Sequence, residues 1–240
     1  MSNTASIWAV VPAAGIGQRM NAPVPKQYLS LNGRPVIQHS LQRLLDNSRV
    51  TALVVAIRAH DEYWPDIMLD TRKPVVLAEG GEERSDSVLN ALESLRSQPG
   101  FDAERDWVLV HDAVRPCVRQ ADIDRLIDEV GDNEAGGLLA LPVRDTMKRQ
   151  HDKNDSVAHT VEREGLWHAL TPQLFPWRLL HQALLDARHS KLVITDESSA
   201  MEAAGYAPRL VAGSADNIKI TRPGELRLAE IILDEQQKST

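Results

Sequence analysis

Apolar positions along this chain fall into two alternating rhythms. Short runs rich in Val, Ile, Leu and Ala at 7–11, 51–57, 74–77, 107–110 and 138–141 read as buried strands. Between them apolar residues recur at helical spacing: Val36, Ile37, Leu41, Leu44 and Leu45; Val88, Leu89, Leu92 and Leu95; Ile123, Leu126, Ile127 and Val130. Each set lays one apolar stripe along a helix. Strand and helix taking turns predict an α/β fold with a mainly parallel sheet and helices on both faces.

From 143 to 167 the rhythm breaks. The segment is polar and charged, alternates around Met147 and over 157–161, and carries a polar run at 150–156 that suits an exposed turn. Composition alone allows a surface loop; the alternation favours a hairpin-like arm over 143–166. Helices are expected again over 177–188 and 198–204, with short extended segments at 193–194, 208–211 and 218–220. Thr221 is expected to cap a last helix that has Pro223 in its first turn. At 240 residues the chain suits one domain, 1–240.

Composition narrows the function. With 42% hydrophobic and 25% charged residues the chain has the balance of an ordinary globular protein. A net charge of −7 argues against nucleic acid or an anionic membrane as partner, so an anionic ligand must meet a local basic site. The single cysteine, Cys117, has no intramolecular partner, residues 1–6 are not basic, and no stretch nears the roughly 18 apolar residues of a membrane span. A cytoplasmic location is expected. The eight histidines, His151, His159 and His168 among them, show no recurring metal-ligand spacing.

The chemistry concentrates after the first strand, in Pro12-Ala13-Ala14-Gly15-Ile16-Gly17-Gln18-Arg19-Met20 and Pro25-Lys26-Gln27-Tyr28. Open parallel sheets bind ligands beyond the carboxyl ends of their strands, where small residues let backbone N–H groups approach phosphate. No Gly-Lys-Ser/Thr follows, so this is not a P-loop; Met20 stands where a dinucleotide fingerprint needs its third glycine. What the loop does carry is two cations, Arg19 and Lys26, flanking a glycine turn, an arrangement suited to a triphosphate. Read alone, either could be a surface charge.

This loop, together with Gly80-Gly81-Glu82-Glu83-Arg84-Ser85-Asp86-Ser87, His111-Asp112-Ala113-Val114-Arg115-Pro116, Pro142-Val143-Arg144-Asp145-Thr146-Met147-Lys148, Leu170-Thr171-Pro172-Gln173, Thr195-Asp196-Glu197 and Asp216-Asn217-Ile218-Lys219-Ile220-Thr221, resembles the 2-C-methyl-D-erythritol 4-phosphate cytidylyltransferases nearly end to end. The resemblance implies a Rossmann-like nucleotidyltransferase fold that joins CTP to methylerythritol phosphate, with Mg²⁺ and with release of pyrophosphate, in the non-mevalonate route to isoprenoid precursors. It assigns Arg19 and Lys26 to the transition state; Pro12, Ala13, Ala14, Gly15, Gly17, Gly81, Glu82, Ser87, Asp112 and Ala113 to CTP; and Arg115, Thr146, Arg163, Thr171, Thr195 and Lys219 to the acceptor. Asp112 is also the candidate metal anchor. Read without the family, Asp112 could instead orient its loop, and Ser85 or Ser87 could be a helix N-cap. The 143–166 arm is implied to interlock two copies in a homodimer. At this length the chain is expected to lack the cyclodiphosphate synthase domain fused in some relatives. Two rivals stay open here: a cytidylyltransferase for another polyol phosphate such as ribitol 5-phosphate, and a nucleotide-binding module that has lost the reaction.

Overall fold

The computed structural model describes residues 5–15, 24–131, 133–152 and 154–238. Its frame is a seven-stranded sheet. Strands β1 (Ile7–Pro12), β4 (Val50–Ile57) and β5 (Val75–Glu79) form one half, after a small hairpin of β2 (Ser30–Leu31) and β3 (Arg34–Pro35). On the other side of β1 lie β6 (Trp107–Val110), β10 (Trp167–Pro176), β7 (Gly137–Pro142) and β11 (Arg209–Ala212), giving the order β11-β7-β10-β6-β1-β4-β5. All neighbours pair in parallel except β10, which runs antiparallel to both β6 and β7.

The alternation of the central strands divides the core. Ala9, Val11, Leu53, Val55 and Leu109 face α1 (Val36–Asp46) and α3 (Gln120–Val130), whose stripes of Ile37, Leu41, Leu44, Ile123 and Leu126 pack against them. Trp8, Val10, Val54, Val108 and Val110 face α2 (Arg84–Leu95), α4 (Trp177–His189) and α5 (Glu197–Ala203). Helices therefore cover both faces, as the period-3.6 stripes predict. The last helix, α6 (Pro223–Lys238), packs Ala229 and Leu233 against Leu31, Val36 and Cys117. Asp106 ties the two halves at the strands' amino ends: it accepts from Ser6 N at 2.9 Å, Trp8 Nε1 at 2.9 Å and Asp102 N at 3.0 Å. Among the described residues no helix is long and apolar enough to cross a membrane.

The polar 143–166 segment contains an antiparallel pair, β8 (Met147–Gln150) and β9 (Val157–Val161), that joins no other strand and is almost wholly exposed. The segments 193–194 and 218–220 lie outside the sheet: Val193 is 85% exposed just beyond α4, and the second segment meets its neighbour through a backbone bond, Ile220 N to Val114 O at 2.9 Å. One local expectation changes. At the start of α6 the cap is the Glu225 carboxylate reaching back, which accepts from the Thr221 N–H and hydroxyl and from Arg222 N. The hydroxyl of Thr221 thus donates to a side chain of the first turn instead of accepting from its backbone.

Candidate active site

The chain places β4 and β5 on one side of β1 and then crosses to put β6 on the other. Connections leaving the carboxyl ends of β1 and β6 therefore diverge and open a crevice, the usual ligand position in open α/β sheets. A cavity of about 630 Å³ lies there. Pro12, Ala13, Ala14 and Gly15 form one wall, and Lys26 and Gln27 enter from the following turn. Gln27 is buried and its Nε2 donates to Ala13 O at 2.8 Å and Gly15 O at 2.9 Å, which clamps the glycine loop to the segment that carries Lys26.

The opposite wall is the start of α2, with Gly81, Glu82 and Ser87. Ser87 Oγ accepts from Gly81 N at 3.0 Å and donates to Glu83 O at 3.2 Å, so the hydroxyl shapes this turn. Neither Ser85 nor Ser87 is an N-cap: the helix begins at Arg84, and Asp86 Oδ2 accepts from Glu83 N. Gly80 lets the two walls approach, since a Cβ built on it would lie 2.2 Å from Ala14 Cβ.

Asp112, directly after β6, forms the floor and is 6% exposed. Three cations converge on it. Arg84 Nε reaches Oδ1 at 3.1 Å, while Arg115 Nε at 3.3 Å and Lys219 Nζ at 2.8 Å meet Oδ2. Burial alone would raise this carboxyl; Arg84, then Lys219 and Arg115, outweigh it and hold Asp112 well below the usual carboxylate range. Arg84 also grips Glu197 through both nitrogens of its fork, at 2.6 and 3.0 Å. Burial would lower the Arg84 pKa, but Glu197 and Asp112 push it above the ordinary value, so it stays charged.

A second cavity of about 510 Å³ opens on the far side of this cluster, bordered by Arg115, Leu170, Thr171, Gln173, Thr195 and Asp196. Both cavities are lined by Arg84, Asp112 and Lys219. Two ligands could thus meet across one carboxylate and two cations.

A hydrogen-bonded chain holds Asp112 in place. Its N–H donates to Thr171 Oγ1 at 3.0 Å, and Thr171 Oγ1 lies 3.0 Å from His111 Nδ1. His111 Nε2 lies 3.0 Å from Arg115 O, which can only accept, so Nε2 carries the proton and Nδ1 takes the hydroxyl's. The ring is neutral: burial lowers its pKa to about 4. Asn217 adds a strut, donating from Nδ2 to Thr171 O while its own carbonyl accepts from Arg115, both at 2.8 Å.

Residues 7–235 match the 2-C-methyl-D-erythritol 4-phosphate cytidylyltransferase family. The chain belongs to that family. A relative so described from Vibrio vulnificus (strain YJ016) is 48% identical over 232 residues, which is 97% of this chain and 96% of its own length. Another, from Aliivibrio fischeri (strain MJ11), is 50% identical over 235 residues, covering 98% and 97%. The crystal structure of the Francisella tularensis 2-C-methyl-D-erythritol 4-phosphate cytidylyltransferase superposes with a TM-score of 0.80 at 34% identity, covering 95% of this chain and 100% of that one. The α/β architecture is the nucleotidyltransferase fold of these cytidylyltransferases.

Most residues expected of a cytidylyltransferase site come together here. Pro12, Ala13, Ala14, Gly15, Lys26, Gly81, Glu82, Ser87, Asp112 and Ala113 line the first cavity; Arg115, Thr171 and Thr195 line the second, and Lys219 lines both. Gly17 and Arg19 lie outside the described residues. Thr146 and Arg163 line neither cavity: both are exposed beside the β8–β9 hairpin, where Arg163 donates to Arg144 O. Sequence reasoning assigned nothing to Arg84, Glu197, Gln27 or His111. All four stand inside the motifs that carry the family resemblance, but an Arg and a Glu at the starts of two different helices carry no signal that they pair.

Proposed function

We propose that the chain transfers a cytidylyl group from CTP to 2-C-methyl-D-erythritol 4-phosphate, forming 4-diphosphocytidyl-2-C-methyl-D-erythritol and pyrophosphate in the non-mevalonate route. Support comes from family membership and from one feature of the site: two cavities that share Arg84, Asp112 and Lys219. The cavity beside the glycine loop takes CTP, with Gly81, Glu82 and Ser87 against the base. The second takes the acceptor, with Lys219 and Arg115 toward its phosphate. An acceptor phosphate oxygen attacks the α-phosphorus, a new P–O bond forms, the bond to the β-phosphate breaks, and pyrophosphate leaves. A phosphomonoester is already largely dianionic at neutral pH, with its second pKa around 6, so no general base is needed. Charge neutralisation and alignment do the work, with Lys26 and Arg19 at the triphosphate.

Asp112 is the residue that would hold Mg²⁺. Among the described residues no three metal-ligating side chains cluster, so an ion on Asp112 would take most of its ligands from substrate phosphates and water. That donor set suits magnesium, which is commonly bound through one or two carboxylates plus phosphates; when bound, it would withdraw charge from the triphosphate. We further propose a homodimer through the 143–166 arm, in which Thr146 and Arg163 of one copy complete the acceptor cavity of the other. The exposed Met147, Val157 and Leu166 give such an arm apolar surface to bury. A cytoplasmic location accords with the one, unpaired Cys117.

The test is pyrophosphate release from CTP and Mg²⁺ with methylerythritol phosphate, with ribitol 5-phosphate, and with no acceptor. Release with methylerythritol phosphate alone, lowered in Lys26→Ala chiefly through kcat, is the expected result. Release only with ribitol phosphate overturns the acceptor, and no release with either overturns the activity.

A further inference from the structure

Glu197 is a buried acid for which the transfer has no direct use. It is the first residue of α5, is 1% exposed, and lines neither substrate cavity. Its two carboxylate oxygens accept from Arg84 NH1 and NH2 at 2.6 and 3.0 Å. A carboxylate taken this far out of water is costly unless charged hydrogen bonds compensate it. A polar cap is not the reason for its presence, since α5 is already capped by Asp196, whose Oδ1 accepts from Ser199 N.

Arg84 stands between Glu197 and the reacting centre. Its Nε donates to Asp112 Oδ1, NH2 lies 3.1 Å from the same oxygen, and its side chain borders both cavities. Among the described residues, the ion-paired cluster on Asp112 has three cations, Arg84, Arg115 and Lys219, against two carboxylates, Asp112 and Glu197. The cluster is thus one positive charge in excess. Without the Glu197 charge it would be two in excess, and Arg84 would be free to swing its fork onto Asp112 or onto an entering phosphate. Lys219, 2.8 Å from Asp112, occupies an oxygen for which that fork would compete. A guanidinium is planar, so one held end-on by a bidentate carboxylate keeps its Nε–H fixed as well.

We propose that Glu197 is a positioning residue for cytidylyl transfer: it locks Arg84 at the junction of the two cavities, so that Asp112 and Lys219 stay aligned between donor and acceptor. This rests on the transfer reading. It predicts an effect on alignment without a loss of anion binding, because removing the acid makes the site more positive.

The experiment compares Glu197→Gln, Glu197→Asp, Arg84→Met and the double variant Arg84→Met/Glu197→Gln in the full chain. The readouts are kcat and KM for each substrate, CTP affinity by calorimetry, and thermal unfolding to correct for folded fraction. For Glu197→Gln we expect kcat to fall by about tenfold or more, as displaced groups at a reacting centre do, with CTP bound as tightly as by wild type or more tightly. Glu197→Asp should regain part of kcat, and the second substitution should cost little in the Arg84→Met background. Wild-type kcat per folded molecule in Glu197→Gln overturns the proposal and leaves Glu197 as a fold pillar. Weakened CTP binding, or an equal loss with and without Arg84, overturns it too. Should Glu197→Gln fail to fold, Glu197→Asp decides through the same kcat and affinity comparison. Calorimetry reads the binding expectation without turnover, and an inactive wild type would count against the transfer reading alone.

Discussion

Replacing Thr171 by valine keeps the shape of the side chain and removes one oxygen on which two buried groups depend. That oxygen accepts from Asp112 N and donates to His111 Nδ1, each at 3.0 Å, and Thr171 is 4% exposed. Water cannot readily replace it. A buried donor or acceptor left without a partner costs roughly 1–3 kcal/mol, so two predict roughly 2–6 kcal/mol. The added methyl returns about 0.8 kcal/mol through apolar burial. A net loss of roughly 1–5 kcal/mol remains, a large share of the roughly 5–15 kcal/mol that stabilises a typical domain. Thr171→Ser keeps the oxygen and loses only a methyl, so it should cost about 1 kcal/mol. Urea unfolding at neutral pH, followed by the fluorescence of the five tryptophans, gives both values from shifts in midpoint at constant slope. The valine variant should also lose kcat, because the backbone of Asp112 loses its tether. Valine proving as stable as serine would refute the assigned chain of donors and acceptors from Asp112 through Thr171 to His111.

Gly80→Ala should drive the two walls of the first cavity apart, because its Cβ would lie 2.2 Å from Ala14 Cβ; overpacking of this kind costs about 1–3 kcal/mol. The KM for CTP should rise, and adding Ala14→Gly should restore both stability and KM, which chemical unfolding and steady-state kinetics check. His111 titrates at about 4 in the folded chain because of burial, so the unfolded chain binds the proton first, near pH 6.5. Its contribution is complete above pH 6.5 and is lost as pH falls toward 4, by about 3 kcal/mol. The stability difference between wild type and His111→Gln should shrink by that amount between pH 7 and pH 4, and a constant difference would show that His111 is not held neutral. Cys117 is buried and its thiol is pushed up to about 12 by burial; a disulfide reagent at pH 8 should label it only after the chain unfolds.

The parallel strands and the helices that flank them were legible because each is specified by its own residues. Ile123, Leu126, Ile127 and Val130 place one buried stripe on α3 whatever lies elsewhere, and β6 falls over Trp107–Val110 as its apolar run predicts. The glycine loop was legible for the same reason: small residues after a strand mark a backbone that something approaches. The charge cluster was not legible. Arg84, Asp112, Glu197 and Lys219 come from four separate segments, and only the crossover that places β6 beside β1 brings them together. The Asn32-Gly33 turn between β2 and β3, with both residues at positive φ, did carry a local hairpin signal.

The element hardest to read was β10, and its concealment has the same cause as its function. A strand buried between β6 and β7 should be an unbroken apolar run, yet this one contains His168, Thr171, Pro172 and Gln173. Proline has no N–H for a ladder, which ordinarily argues against a central strand. Here the ladder gives way at that point: pairing with β7 shifts register between Ala169 and Gln173. The interrupted residues serve other partners. Thr171 holds Asp112 and His111, its carbonyl accepts from Asn217, and Gln173 bridges Asp196 and the backbone of Ser198 at the start of α5. An apolar strand at this place would have been easy to recognise and would have left Asp112 without its tether. Restoring that pattern with Thr171→Val/Gln173→Leu should therefore make the segment more strand-like and the site less ordered. The expected readout is a larger loss of kcat than of secondary structure by circular dichroism; equal losses would mean that β10 serves the fold alone.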